Sequence, residues 1–511
     1  MTHWGPKDPQ GPISILIAGG GTAGWIAACL IKKSLRERVK ITLLESKETR
    51  KIGVGEATVP TLRGTLHTLG ISEKDFLKEC QATFKLGVRL NHWRKPRGAW
   101  PAHFYNPFGP MEKYHGVNLS ELWLAGHQRD WTLPLDYSCS SIPILCDHLR
   151  SPKFQDQPEY VGTVDYGYHV DAQLLGEYLK KFAVEWGVRH RYDEIDHTRL
   201  NPEGAIDHLV ARNSGKIYAD LYVDCTGFQG LLINQALNEP FHSYSKNLLC
   251  DSAVALNVPD DSLEKEIPPY TNANAQEAGW IWQIPLRHRW GTGYVYSSYH
   301  LSSDQAEQHL RKNLGKKGEE GATRFIKMRV GRNRRAWVKN CLSVGLAAGF
   351  VEPLESSGIG FIYIAIQRVL SSLANPPWEE RMIERFNRYF GDLYDLVRDY
   401  LILHYYLSNG MDSPFWSAVR KEIKVPESLR DALAQCKERF PEDGVGSQLV
   451  QFYDYKAAYL LGGFGWLPQE IHPKISNLEK KKVRSKLENL QVQYKELAQH
   501  LPTHVEYLNS L

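Results

Sequence analysis

Ile13-Ser14-Ile15-Leu16-Ile17-Ala18-Gly19-Gly20-Gly21-Thr22-Ala23-Gly24-Trp25 is the stretch on which the fold turns. Its first six residues form a short apolar run rich in β-branched side chains, glycines follow at once, and residues 25–33 continue with helix formers. Residues 39–44 repeat the strand signature and Glu45 closes it. Strand, tight turn, helix and strand make a βαβ unit, with Gly19-x-Gly21-x-x-Gly24 at its turn. The first glycine permits the turn and the second lets backbone approach a pyrophosphate. The helix opening at Thr22 and Ala23 offers the anion unpaired N–H groups and a positive dipole end. Glu45, about twenty residues on, is placed to accept ribose hydroxyls. The unit predicts a dinucleotide site built on Gly19, Gly21, Thr22, Ala23, Gly24 and Glu45, in an α/β protein with a Rossmann-like domain.

Residues 13–31 are also the one long uncharged stretch, and their glycines argue against a membrane span. The chain has 511 residues, enough for about three domain-sized units at roughly 150 residues each. With 42% hydrophobic and 23% charged residues it is a folded soluble chain, neither disordered nor of low complexity. A net charge of +4 is too weak a field for a polyanionic partner, so nucleic acid is not expected. The eight cysteines are scattered, without CxxC or zinc spacing, which predicts reduced thiols in a cytoplasmic protein and no metal site. There is no HExxH, GxSxG or P-loop. The 14 Trp, 26 Tyr and 17 Phe point to an aromatic-lined pocket.

Residues 1–12, with Pro6, Pro9 and Pro12, read as a loose tail, and 13–375 as the cofactor-binding body. Within it, residues 95–160 have no clear period and read as an irregular insertion carrying substrate contacts. Strand patterns at 216–223, 253–258 and 280–299 predict a mixed second sheet. From 376 to 511 the pattern is helical, with Met382, Phe386, Tyr389, Phe390, Leu393, Leu396 and Val397 on one stripe. Leu487, Leu490, Tyr494, Leu497 and Leu501 read as a helix laid on the body rather than a coiled-coil seam, although a homodimer stays compatible with the pattern.

Val223-Asp224-Cys225-Thr226-Gly227 and Ser343-Val344-Gly345-Leu346-Ala347-Ala348-Gly349 resemble the later cofactor-binding segments of FAD-dependent oxygenases, so the dinucleotide is expected to be FAD. No second GxGxxG unit follows for NADPH, which leaves reduction of the flavin to a separate flavin reductase. Three further segments resemble the flavin-dependent halogenases of the tryptophan-halogenase type, over nearly the whole chain. Gly279-Trp280-Ile281-Trp282-Gln283-Ile284-Pro285 carries the WxWxIP signature, Phe84-Lys85-Leu86-Gly87 the lysine-bearing strand, and Pro353-Leu354-Glu355-Ser356-Ser357-Gly358-Ile359 the halide and glutamate loop. Gly53-Val54-Gly55-Glu56-Ala57-Thr58-Val59-Pro60 resembles the family's flavin strap, which runs on toward the substrate.

The resemblance implies a chemistry in which reduced FAD and O2 convert chloride or bromide to hypohalous acid, which attacks an electron-rich ring. Val54, Ala57, Leu346 and Ile359 would then touch the flavin, and the N–H groups of Ser357 and Gly358 would hold the halide. Lys85 would receive the hypohalous acid, by hydrogen bond or as a haloamine, and Glu355 would stabilise the cation on the ring or take its proton. Trp280 and Trp282 would keep substrate away from the flavin, and Leu346 stands where many flavin hydroxylases carry Asp; both count against the alternative of a single-component aromatic hydroxylase. Read without the resemblance, Lys85 is a solvent-facing strand lysine, Trp280 and Trp282 are sheet packing, and Glu355 with its serines is a helix cap.

His103-Phe104-Tyr105-Asn106-Pro107-Phe108-Gly109 resembles the loop that sandwiches an indole, with Phe108 to stack and Asn106 where a His often stands. The stretch from Gln451 to Trp466 keeps only part of the amino-acid clamp of free-tryptophan members. Each charge-assisted bond lost there is worth roughly 1.5–3 kcal/mol, so indole or an indole derivative is expected, and free tryptophan is the alternative.

Overall fold

The computed structural model describes every residue except 1–2, 7–10, 48–54 and 442–449, and of 3–4 and 450–455 the backbone alone. Ile13–Ala18 lies inside a six-stranded sheet in the order Arg189–Tyr192, Val39–Glu45, Ile13–Ala18, Leu221–Asp224, Cys341–Ser343, Trp337–Val338. The first five strands are parallel and the last is antiparallel. Parallel sheets are covered on both faces, which is why Ile15, Leu16 and Ile17 are all buried without alternation. Helix Thr22–Leu35 covers one face together with Ala172–Glu185 and Gly358–Leu373. Leu209 and Leu232 close over Leu16, Leu44 and Tyr222 on the other.

The glycine turn divides its work as expected. Gly19 has φ +113°, and a Cβ there would lie 2.2 Å from the Cys225 carbonyl oxygen; one on Gly24 would lie 2.0 Å from the Gly19 carbonyl oxygen. A Cβ on Gly21 would meet nothing within 4 Å, so this backbone is open to a ligand.

A seven-stranded sheet stands beside the first, in the order Arg324–Lys327, Ser252–Pro259, Arg289–Tyr296, Gly279–Pro285, Thr271–Gln276, Gly87–Asn91, His103–Pro107. Gly291 and Gly293 face Ile284 and Trp282 across one ladder. Without side chains at these positions the Trp282 ring lies over Gly293 and the strap Gly55–Ala57 crosses directly over Gly291. The strap belongs to a small sheet, Gly55–Ala57, Gly167–Asp171, Thr83–Lys85. The three-stranded and seven-stranded sheets thus meet where Lys85 ends one strand and Gly87 begins another.

The C-terminal helices are joined to this body by one continuous hydrophobic core. Helix Lys480–His500 buries Val483, Leu487, Leu490 and Tyr494 against the body, packing on Leu119–His127, Leu135–Cys139 and Ile142–Asp147. Those three short helices correct the irregular reading of residues 95–160, whose brief helical turns lack the length to show a period. The tail is not wholly loose, since His3–Trp4 pairs antiparallel with Trp378–Glu379. The alternating run 216–223 is broken by a turn into Gly215–Ile217 and Leu221–Asp224. All eight cysteines are free and buried. Among the described residues no helix is long and apolar enough to cross a membrane, and no His, Cys, Asp and Glu cluster could hold a metal.

Candidate active site

The backbone around Lys85 is pinned from three sides. Phe84 N–H donates to His504 Nε2 at 2.9 Å, Leu86 N–H to the Pro269 carbonyl at 2.7 Å, and Phe108 N–H to the Leu86 carbonyl at 2.8 Å. A Cβ on Gly87 would stand 2.6 Å from the Asn106 carbonyl oxygen, so glycine lets the strand His103–Pro107 come this close. These constraints aim Lys85 inward: it is 0% exposed, Nζ donates to Ser356 Oγ at 2.8 Å, and it lies 5.1 Å from the centroid of the Phe108 ring. The solvent-facing reading of Lys85 fails because both faces of its strand are covered. Burial, aided by the Lys456 ammonium and opposed by Glu355, pulls the Lys85 pKa down to about 7.

The partner loop is shaped by one unusual backbone position. Pro353–Glu355 forms a single 3-10 turn, Ser356 takes the left-handed conformation at φ +55°, and helix Gly358–Leu373 starts after Ser357. The turn buries Glu355 in the molecule. Its Oε1 accepts from Asn106 Nδ2 at 2.8 Å and His404 Nε2 at 3.0 Å, and its Oε2 from Lys456 Nζ at 3.1 Å. Burial pushes this carboxyl up, but Lys456 and His404 outweigh it and hold the group ionised, at about 2. A carboxylate so held stabilises positive charge and is a poor proton acceptor. The Glu355 cap reading gives way as well, since no side-chain cap bond forms at this turn or at the helix start.

Asn106 reaches the glutamate. Its Nδ2 is shared between Glu355 and the Tyr400 hydroxyl, the latter at 3.0 Å, while Oδ1 is buried with no hydrogen-bond partner among the described residues. Phe108, 3% exposed, keeps a ring position, with Lys456 Nζ 4.9 Å from its centroid. Trp280 and Trp282 meet edge to face at 6.4 Å. Trp280 Nε1 donates to Glu352 Oε2 at 3.4 Å, and the Tyr405 hydroxyl donates to the same oxygen. The tryptophan pair thus spans from the strap side of the sheet to the loop that bears Glu355. Trp466 is not brought to this cluster. It lies two residues past the end of helix Val450–Phe464, beyond the turn at Gly465 (φ +76°), with Lys437 Nζ 5.6 Å from its ring centroid.

At the other end, a Cβ on Gly358 would meet nothing within 4 Å, so the N–H groups of Ser357 and Gly358 border open space at the start of a 16-residue helix. Ile359, 7% exposed, and half-buried Leu346 line the same side, where Gly345 abuts Ala23. Ala57 sits on the strap opposite His169. Val54 lies outside the described residues. Glu45 rests its carboxyl over Gly20, with Oε2 3.0 Å from His190 Nε2. Thr61 Oγ1, beside Gly360, is buried with no partner among the described residues. An open glycine backbone at a helix N-terminus, an acid at the next strand end and an unsatisfied hydroxyl beside the second helix fit an FAD molecule laid from Gly21 to Gly358.

The sequence pattern of the tryptophan halogenase family matches residues 14–480. The chain belongs to the tryptophan halogenase family. It is similar to the tryptophan 6-halogenase SttH of Streptomyces toxytricini, at 36% identity over 98% of this chain and 99% of that protein. It is also similar to the tryptophan 7-halogenase RebH of Lentzea aerocolonigenes, at 36% over 91% and 92%. Among solved structures, Tar14, a tryptophan C-6 flavin-dependent halogenase (chlorinase) from taromycin biosynthesis, superposes with a TM-score of 0.91 at 39% identity, covering 97% of this chain and 99% of that one. This tryptophan halogenase family member is accordingly a flavin-dependent halogenase on an FAD-binding α/β fold.

Four side chains of the halogenase site escape a reading of its motifs: His404, Lys456, Glu352 and Tyr405. His404 had a signal, because it continues the buried stripe of Leu393, Val397 and Tyr400 at helical spacing. Lys456 had none, since nothing local marks a lysine that turns into a core.

Proposed function

We propose that the enzyme halogenates indole or an indole derivative, with Lys85 delivering the halogen and Glu355 stabilising the ring cation. The observation that carries this reading is a fully buried lysine bonded to the loop that bears a fully buried, ionised glutamate. When bound, reduced FAD and O2 supply the oxidising equivalent that turns a halide into hypohalous acid. Ser357 and Gly358 N–H groups hold the halide by charge rather than by a size-matched cage, so chloride and bromide both serve. Trp280 and Trp282 separate the ring from the flavin side, so hypohalous acid and not the cofactor reaches it. Lys85 Nζ hydrogen-bonds the acid and polarises its halogen. As the carbon–halogen bond closes the oxygen–halogen bond breaks, and the hydroxide leaves as water with a proton from the Lys85 ammonium. The negative Glu355 lowers the energy of the ring cation, and the ring proton returns to the Lys85 amine.

The relatives SttH and RebH are tryptophan halogenases, and tryptophan's reacting part is an indole, which supports an indole ring here. The helix Val450–Phe464, where free-tryptophan members clamp the amino acid, here presents Lys456 to Glu355, which supports a ring substrate without the free amino-acid head. FADH2 comes from a separate reductase, and the free, buried cysteines suit a reducing cytoplasm. Competition between indole and tryptophan, in bromide and in chloride, followed by mass spectrometry with a flavin reductase and NADH, tests this. Indole should be halogenated in both halides and in preference to tryptophan; preference for free tryptophan overturns the substrate assignment.

A further inference from the structure

We propose that Lys456 is a positioning residue, taking Glu355 as its counter-ion so that Lys85 is left without one. The inference rests on the reading of Lys85 and Glu355 given above and adds a residue that their motifs do not contain.

Two buried lysines lie against the same ring, Phe108, at 5.1 and 4.9 Å from its centroid. One carboxylate serves this space, and the geometry gives it to Lys456: Nζ is 3.1 Å from Glu355 Oε2. Lys85 instead donates to a neutral hydroxyl, Ser356 Oγ, and no carboxylate stands within ion-pair distance of it among the described residues. His404 completes the lock. Its Nδ1 faces the Tyr400 carbonyl at 2.8 Å and its Nε2 the Glu355 carboxylate at 3.0 Å. Glu355 is thus held by His404, Asn106 and Lys456 before any substrate arrives.

The other charged and titratable groups around Lys85 do not replace the missing counter-ion. His169, on the strand paired with Thr83–Lys85, sits between Thr83 Oγ1 at 3.2 Å and Thr271 Oγ1 at 2.9 Å. Burial and Lys85 itself drive its pKa far down, so it is neutral. His504, from the C-terminal helix, accepts the Phe84 N–H and is also neutral above pH about 4. Lys456 is therefore the nearest fixed positive charge, and it opposes protonation of Lys85. The consequence is chemical. A lysine that switches between amine and ammonium near neutral pH can accept halogen as the amine or polarise hypohalous acid as the ammonium, and Lys456 adds to burial in lowering the pH at which that switch falls.

The test compares the pH profile of halogenation for the wild type, Lys456→Gln and Lys456→Arg, with FAD, a flavin reductase, bromide and indole. Whichever form of Lys85 the transfer uses, the limb that reports it should move up by about one pH unit in Lys456→Gln, since two charges this close in a protein interior couple by that much. Lys456→Arg keeps the positive charge and should leave the limb near its wild-type place. A Lys456→Gln enzyme that is slower but keeps the wild-type limb shows a structural role only and overturns the proposal. If the variant fails to fold, a titration of the full wild-type chain carrying ¹³Cε-lysine decides, with the Lys85 signal identified by its loss in Lys85→Arg. A Lys85 signal that titrates near neutral pH supports the proposal, and one that stays ammonium into alkaline pH overturns it. A wild type that gives no halogenated product contradicts the proposed function instead, and the titration still reads Lys85 independently.

Discussion

Replacing Glu355 with Gln removes one negative charge and leaves the shape almost unchanged. The carboxylate now accepts from Asn106, His404 and Lys456 at 2.8, 3.0 and 3.1 Å. An amide keeps one accepting oxygen and turns its NH2 toward a donor, so at least one of these bonds becomes a donor–donor contact. A ring cation formed about 4–5 Å from a full charge, at an effective dielectric constant of about 20, is stabilised by about 3–4 kcal/mol. Loss of that interaction lowers turnover about 200- to 1000-fold. The same change strands buried positive charge, at a stability cost on the order of 3 kcal/mol, so thermal unfolding must be followed beside the kinetics. The assay measures halogenated indole together with free hypohalous acid caught by an added halogen acceptor. Product should fall by that factor while the trap captures at least as much as in the wild type, because Glu355 acts after the oxidant has formed. A product loss of less than tenfold, or a trap signal that falls in parallel, would refute the assignment of Glu355 to the ring cation.

Gly358→Ala places a methyl in open space at the helix start, so its melting temperature should hold or rise while the KM for halide increases about tenfold; an unchanged KM removes the halide nest from Ser357 and Gly358. Gly21→Ala should fold normally and lose FAD affinity, whereas Gly24→Ala, with its Cβ 2.0 Å from the Gly19 carbonyl oxygen, should lose stability by about 1–3 kcal/mol; equal behaviour of the two in unfolding and FAD titration contradicts the division of labour in the turn. Burial pushes the Glu352 carboxyl up to about 7, against the opposing bonds from Tyr405 and Trp280. A group whose folded pKa is raised contributes stability that is whole below its ordinary value of 4.5 and lost as pH rises through about 7. Denaturant midpoints of Glu352→Gln should therefore lose that slope, worth on the order of 3 kcal/mol between pH about 4.5 and 8, and parallel curves for the two proteins would count against it.

The cofactor half of the molecule was legible because its constraints are local. A glycine that must clear a neighbouring carbonyl, and an acid at the next strand end, leave marks at fixed spacing, and Gly19, Gly21, Gly24 and Glu45 occupy the positions those marks imply. The halogenation half was legible only through resemblance. Alternation assigns Lys85 to solvent, since a period of two says which face a residue takes and not whether that face is covered. The long-range lock on Glu355 was not legible at all. Asn106, His404 and Lys456 come from a strand and two helices, between 49 and 249 residues from Glu355, and no local pattern couples them. Asn106 shows the limit of reading a position by its neighbours: the aromatic loop suggested a substrate contact, and nothing local announced its bond to Glu355.

The most direct measurement is the mass of the products formed from indole and bromide by the wild type and by Lys85→Ala, each supplied with FAD, a flavin reductase, NADH and O2, with free hypohalous acid trapped in parallel. A singly halogenated indole from the wild type, absent from Lys85→Ala although the variant still binds FAD and releases hypohalous acid to the trap, is the result expected of a lysine that delivers the halogen. A halogenated ring made equally well without Lys85, or an oxygenated and unhalogenated product from the wild type, would contradict it.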